Sequence, residues 1–253
     1  MGMIAKVPKF GRMAEADSKG RPITTEEFER MLDKVSTVVG EAAAPSWRRL
    51  LLGLWLSGLR LGEALALSWE ADAPFRVDFS ERRPCFRIEA EGQKNRKTQT
   101  CPMAPEFAEF LLATPEAERH GRVFRPMRPD GDDSPMRLDT ASRVVCRIGK
   151  RAGVVVAKKG NGKVKYAAAH DLRRSFGDRW SKLVMPPVLM QLMRHSDIGT
   201  TMRFYVGRDS QATAEVLWAL HKPAGTNTFP NSGPETANAE GNGNDATRCE
   251  NAV

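Results

Sequence analysis

Apolar positions near the start of the chain fall at helical spacing. Phe28, Met31, Leu32 and Val35 recur in steps of three and four behind Thr24 and Glu27, a pair able to close a capping box. They predict a helix from Thr24 with one buried face. Residues 45–57 are apolar on most sides, which predicts a central helix, and Gly58 suits the left-handed turn that ends helices. A short helix from near Leu61 carries Glu63, Leu65 and Leu67. The period then drops to two. Phe75, Val77 and Phe79 alternate, then Phe86, Ile88 and Ala90, and a third run covers 98–103, so three strands are expected to form a small antiparallel sheet with a tight polar turn at 92–96. Helical spacing returns at about 105–113 and 138–152. A Lys- and Gly-rich loop or hairpin between Lys158 and Tyr166 precedes helices at about 171–183, 186–193, 200–206 and 211–220. The fold class read from this order is α+β: mostly helical, with a small three-stranded antiparallel sheet.

The ends differ in composition from this body. Residues 1–22 are basic and mixed and read as a leader or linker remnant. Residues 23–221 form the ordered domain. Residues 222–253 are rich in Asn, Gly, Thr, Glu and Pro and are expected to stay disordered, because they offer too little apolar surface to offset the entropy of ordering. The longest apolar stretch, residues 50–56, is too short to cross a bilayer, and the first residues lack the apolar run of a secretory signal. A cytoplasmic location without membrane contact is expected.

Charge narrows the partner. The 253 residues carry 39 Lys and Arg against 31 Asp and Glu, net +8. From Pro223 onward there are four acids and one base, so 38 bases face 27 acids in the rest, net +11. An excess of that size concentrates polyanions, of which nucleic acid is the usual one. Cys85, Cys101, Cys146 and Cys249 stand far apart with no histidine at ligand spacing, so buried free thiols are expected and neither a zinc site nor a disulfide framework.

The candidate chemistry gathers late in the chain. Of four histidines and two tyrosines, His170, His195 and Tyr205 stand with Arg173 inside one stretch of 36 residues. Arg60 follows the helix-ending glycine upstream, and Lys94 lies on the polar turn of the sheet. Phosphoryl transfer to tyrosine uses such a set. Arginine forks bind phosphoryl oxygens bidentately and stay charged. A phenol with a pKa of about 10 needs roughly 4 kcal/mol to ionise near neutrality, which surrounding cations and a nearby histidine supply. A lysine can protonate the leaving alkoxide. No metal or other cofactor is required. His170 and Arg173 are three apart at a helix start and share one face.

The segments SGLRLGEALAL, GQKNRKTQTCPM, HDLRRSF and MRHSDIGTTMRFY, in that order, resemble the successive motifs of the tyrosine recombinases, the phage-integrase family. The resemblance spans roughly residues 22–220, that family's catalytic domain. It implies that Arg60 is the first catalytic arginine, with Glu63 the acidic residue supporting it. Lys94 matches the hairpin lysine, with Lys97 its nearest rival. His170 and Arg173 match the HxLR pair, His195 the second histidine and Tyr205 the nucleophile. The implied function is a site-specific DNA recombinase or integrase working through a 3′-phosphotyrosine on double-stranded DNA, as a homotetramer during synapsis. Arg96, Lys97, Lys158, Lys159, Lys163, Lys165, Arg174, Arg179 and Arg194 are candidate contacts to the DNA backbone.

Three departures stand out. Relatives usually have Gly where Arg194 precedes the second histidine. Phe204–Tyr205 leaves one tyrosine where some relatives have two. About 22 residues precede the catalytic domain, too few for the core-binding domain that completes the family's clamp on DNA; a separate core-binding domain or a host factor would have to supply it. Two other readings stay open at this stage: type IB topoisomerase-like strand cleavage, and a truncated or decayed integrase acting as a non-catalytic DNA-binding module.

Overall fold

Thr24 opens the first helix as its sequence predicts. Its hydroxyl accepts from the Glu27 amide at 3.1 Å, and the Glu27 carboxylate accepts from the Thr24 amide at 3.0 Å. In the computed structural model, which describes residues 20–89, 98–128, 135–158, 162–205 and 218, this helix is α1 (Thr25–Asp33). It stops one turn earlier than the apolar spacing suggests. Lys34 interrupts it, and a separate short helix, α2 (Val35–Val39), follows through a β-branched run that holds helix weakly.

The apolar segment forms α3 (Ala44–Ser57), entered through Pro45 and ended by Gly58 at φ 61°. Its central position is as expected: Trp47, Leu50, Leu51 and Leu54 are fully buried. A Cβ at Gly58 would lie 2.3 Å from the ring of Phe176, so glycine serves both the left-handed turn and a close approach by the helix containing that ring. α4 (Leu61–Ala66) follows directly.

The sheet has the order β1 (Phe75–Asp78), β2 (Cys85–Ile88), β3 (Gln99–Pro102), all antiparallel. Val77 pairs with Phe86 and Phe86 with Cys101, which places three buried residues on one face. That face meets α5 (Pro105–Leu112) through tilted rings of Phe86 and Phe107, 5.8 Å apart. A short 3₁₀ turn, Glu116–Glu118, was not apparent from apolar spacing. The expected polar turn at 92–96 lies outside the described residues.

α6 (Leu138–Arg151) buries Ala141, Val144, Val145 and Ile148. The Lys-rich segment is a hairpin, β4 (Val155–Lys158) with β5 (Val164–Tyr166), starting earlier than expected and bulged between Val155 and Ala157. α7 (Ala169–Ser181) packs on α3, followed by α8 (Pro186–Leu192) and α9 (Ile198–Met202). α9 begins two residues before its expected start because the Asp197 carboxylate caps it, accepting from the Thr200 amide at 2.9 Å. The helix expected at 211–220 and the two chain ends, 1–19 and 222–253, lie outside the described residues.

Cys85 and Cys101 are buried free thiols, as expected; Cys146 is not, because it stands on the outer face of α6. No helix among the described residues is long and apolar enough to cross a membrane. Among those residues no group of three or more His, Cys, Asp or Glu is arranged to hold a metal.

Candidate active site

α7 supplies the centre of the site. Its Arg173 is 3% exposed and donates to two main-chain carbonyls, of Gly58 at the end of α3 and of Met193 at the end of α8. One guanidinium thus ties together the two turns that carry Arg60 and His195. Burial, then the nearby Arg194 and Arg60 charges, lower its pKa to about 9, so it stays charged at neutral pH.

Arg60 takes an extended conformation at the start of α4, with its side chain half exposed. Its amide donates to Glu63 Oε2 at 2.8 Å and its Nη1 to Glu63 Oε1 at 2.6 Å. Glu63 Oε2 also accepts from Arg194 Nη2 at 2.8 Å. Burial works to raise the Glu63 pKa, but Arg194 and the hydrogen bonds from Arg60 outweigh it and hold the carboxyl below its ordinary value.

Arg194 has φ 52°, the one positive φ outside glycine among the described residues. A side chain in that region costs about 1–2 kcal/mol. Its side chain is 7% exposed, its guanidinium lies over the Phe86 ring at 5.3 Å, and its Nη1 reaches the Leu192 carbonyl at 3.3 Å. Its buried Nε makes no hydrogen bond.

His195 follows. Its Nδ1 shares a hydrogen bond with Thr201 Oγ1 at 2.9 Å, and its ring stacks on Phe204 at 6.2 Å. Burial first, then Arg173, Arg60 and Arg194, push its pKa down to about 4, so the ring is neutral at physiological pH. Phe204 is seated against Gly177 of α7, where a Cβ would come within 2.6 Å of its ring. A cavity of about 760 Å³ opens beside His195 and Arg194, walled by β3 (Gln99 to Pro102) and by Pro187, Met190 and Gln191 of α8.

His170 is exposed at the second position of α7. Partial desolvation and Arg174, with smaller contributions from Arg173 and Lys165, lower its pKa and favour the neutral ring. Tyr205 comes just after α9, half-buried, and its hydroxyl donates to the Val184 carbonyl at 2.6 Å, in the turn between α7 and α8.

The candidate backbone contacts divide. Lys158 and Lys163 are exposed on the β4–β5 hairpin and Lys165 is half-buried there. Arg174, Arg179 and Arg194 turn inward instead. Arg174 pairs with the buried Asp171 at 2.6 Å. Arg179 stacks on Trp55 at 3.8 Å and donates to its carbonyl at 2.7 Å. Arg179 thus reaches α3, Arg174 turns to an acid of its own helix, and Arg194, which follows α8, turns to Glu63 of α4. Lys94, Arg96, Lys97 and Lys159 lie outside the described residues. Sequence reasoning missed Thr201, Phe204, Gly177 and the Val184 carbonyl as parts of the site; only the Arg194-for-Gly departure signalled the unusual backbone beside His195.

The family model described as the phage integrase family matches residues 21–211. Among solved structures, a Tn1549 transposon integrase variant bound to a circular-intermediate DNA is similar over 82% of this chain and 68% of its own, with TM-score 0.54 and 15% identity. The same integrase in complex with transposon right-end DNA is similar over 79% of this chain and 66% of its own, with TM-score 0.51 and 16% identity. The chain thus spans about two thirds of the length of those solved integrase chains. No curated protein matches.

Proposed function

Because the chain belongs to the phage integrase family, we propose that it cuts and rejoins double-stranded DNA through a 3′-phosphotyrosine intermediate. The observation that carries this reading is the convergence of Arg60, Arg173 and His195 on one network around Glu63 and Arg194. Such a network has charge and donors suited to a phosphate that gains negative charge in its transition state.

Tyr205 gives up its bond to Val184, loses its phenolic proton to neutral His170, and its oxygen attacks the phosphorus of a phosphodiester. The bond from phosphorus to the 5′ oxygen breaks, and Lys94 delivers the proton that makes the leaving group a 5′-hydroxyl. Arg60 and Arg173 bind the non-bridging oxygens, and neutral His195 donates from Nε2. Rejoining runs the same steps backwards with a 5′-hydroxyl as nucleophile, so the ester conserves the bond and no external energy source is consumed. Lys158, Lys163 and Lys165 are placed in this reading against flanking phosphates, and residues 23–221 constitute the catalytic domain. Synapsis would gather four protomers on two duplexes.

The test is a nicked suicide duplex incubated with the full chain. A covalent protein–DNA product is expected from the natural sequence and none from Tyr205→Phe, which should still bind DNA. DNA binding without any covalent product from the natural sequence would leave a binding module in place of an enzyme.

A further inference from the structure

We propose that Arg194 is a positioning residue that fixes the Glu63 carboxylate and, through it, orients Arg60 toward the scissile phosphate; this rests on the DNA-cleavage reading above. Four features point to the role. The residue adopts a backbone conformation that glycine favours, yet it is an arginine. Its charged group is nearly buried and lies over the Phe86 ring. It holds the same carboxylate that Arg60 holds, the Arg194 guanidinium on Oε2 and the Arg60 guanidinium on Oε1. And it sits immediately before His195, on the wall of the cavity that His195 also lines.

The consequence for charge is specific. A carboxylate beside Arg60 alone would cancel the positive charge the phosphate needs. With Arg194 as second partner, the Glu63 charge is shared between two arginines, and the half-exposed Arg60 guanidinium keeps more of its positive charge for the substrate. Glu63 uses Oε1 for the Arg60 guanidinium and Oε2 for both the Arg60 amide and Arg194. Arg60 is therefore braced at backbone and side chain by an anion that cannot swing away. Its half-exposed head would otherwise sample many rotamers, and misplacement of that kind slows chemistry more than binding.

The experiment compares Arg194→Met, Arg194→Lys and Arg194→Gly with the natural sequence in single-turnover cleavage of the suicide duplex at saturating DNA. Affinity is measured separately in a Tyr205→Phe background. Arg194→Met is expected to slow saturated cleavage about 10–100-fold, as a misplaced catalytic group does, with affinity held within about threefold. Arg194→Lys should recover part of the rate. Arg194→Gly relaxes the backbone, so a variant that melts no lower than the natural protein yet cleaves slowly separates positioning from folding. In a Glu63→Gln background, Arg194→Met should add little. A second readout needs neither DNA nor activity: ¹⁵N relaxation of the Arg60 Nε–Hε group should report an ordered side chain that loosens in Arg194→Met. Unchanged cleavage and unchanged Arg60 order would overturn the proposal. So would a loss of affinity that persists in Glu63→Gln with a salt slope shallower by about one, the mark of a direct phosphate contact. If the natural sequence forms no covalent product while Arg60 still loosens without Arg194, the cleavage reading fails and the positioning role stands.

Discussion

Arg173 and Tyr205 serve the same proposed reaction but are held in different ways. Arg173 stands on the 13-residue α7, 3% exposed, with both terminal nitrogens on main-chain carbonyls from other elements. Tyr205 follows the five-residue α9, half-buried, with its hydroxyl on one carbonyl of a turn whose neighbours Leu183 and Met185 are largely exposed. Arg173 is built into the core, where few alternative arrangements exist. Tyr205 is held next to the Phe204 ring seated against Gly177, by its hydroxyl on Val184 and by its amide on the Met202 carbonyl at 2.9 Å. In the proposed reaction such a division would keep the charge in place while the tyrosine oxygen changes partner.

The contrast is broken most severely at Arg173. Arg173→Gln should lower single-turnover cleavage about 10²–10³-fold, the usual loss on removing one transition-state donor. It should also destabilise the fold, since each buried carbonyl left unpaired costs about 1–3 kcal/mol; urea unfolding measures that part. Gly177→Ala strikes the other half. The added methyl meets the Phe204 ring at 2.6 Å and Met193 Sδ at 2.7 Å, so a destabilisation of about 1–3 kcal/mol from overpacking is expected. Cleavage should slow while DNA affinity holds; unchanged cleavage in the folded variant would mean that Phe204 does not set the position of Tyr205.

Smaller effects sharpen the comparison. Tyr205→Phe should lose about 0.5–1.5 kcal/mol of stability, the net worth of one hydrogen bond, a difference of unfolding midpoint in the absence of DNA. His195 then links pH to the fold. Its pKa is about 4 folded against an ordinary 6.5, so below about 6.5 the unfolded chain takes up the proton first. Its contribution is complete above that pH and declines as pH falls toward 4, which urea midpoints across the interval should register. His170 is shifted in the same direction and adds to the slope. Replacing His195 by Gln should flatten it.

How much of this was legible in the sequence depended on what each residue's partner was. The buried face of α3, the glycine that ends it and the alternation of Val77 and Phe86 follow from periodicity, because burial is a property of one element's own face. Helical spacing predicts one shared face for His170 and Arg173, yet His170 is exposed while Arg173 is buried. Nor does the direction of the arginines follow from spacing. Arg174, Arg179 and Arg194 carry the same charge as surface cations, and only the positions of Asp171, Trp55 and Glu63 in space turn them inward. Composition records that a cation exists and not which anion it meets. The split between α1 and α2 was hidden for a related reason, since the apolar spacing runs on through Val35 while the backbone turns at Lys34.

The bond from Tyr205 to Val184 fixes the protonation state of the phenol. A phenolate has no hydrogen to offer a carbonyl, so this contact exists only while the oxygen keeps its proton and is a poor attacker. If Tyr205 is the nucleophile proposed above, docking of DNA has to break this contact before the oxygen can attack.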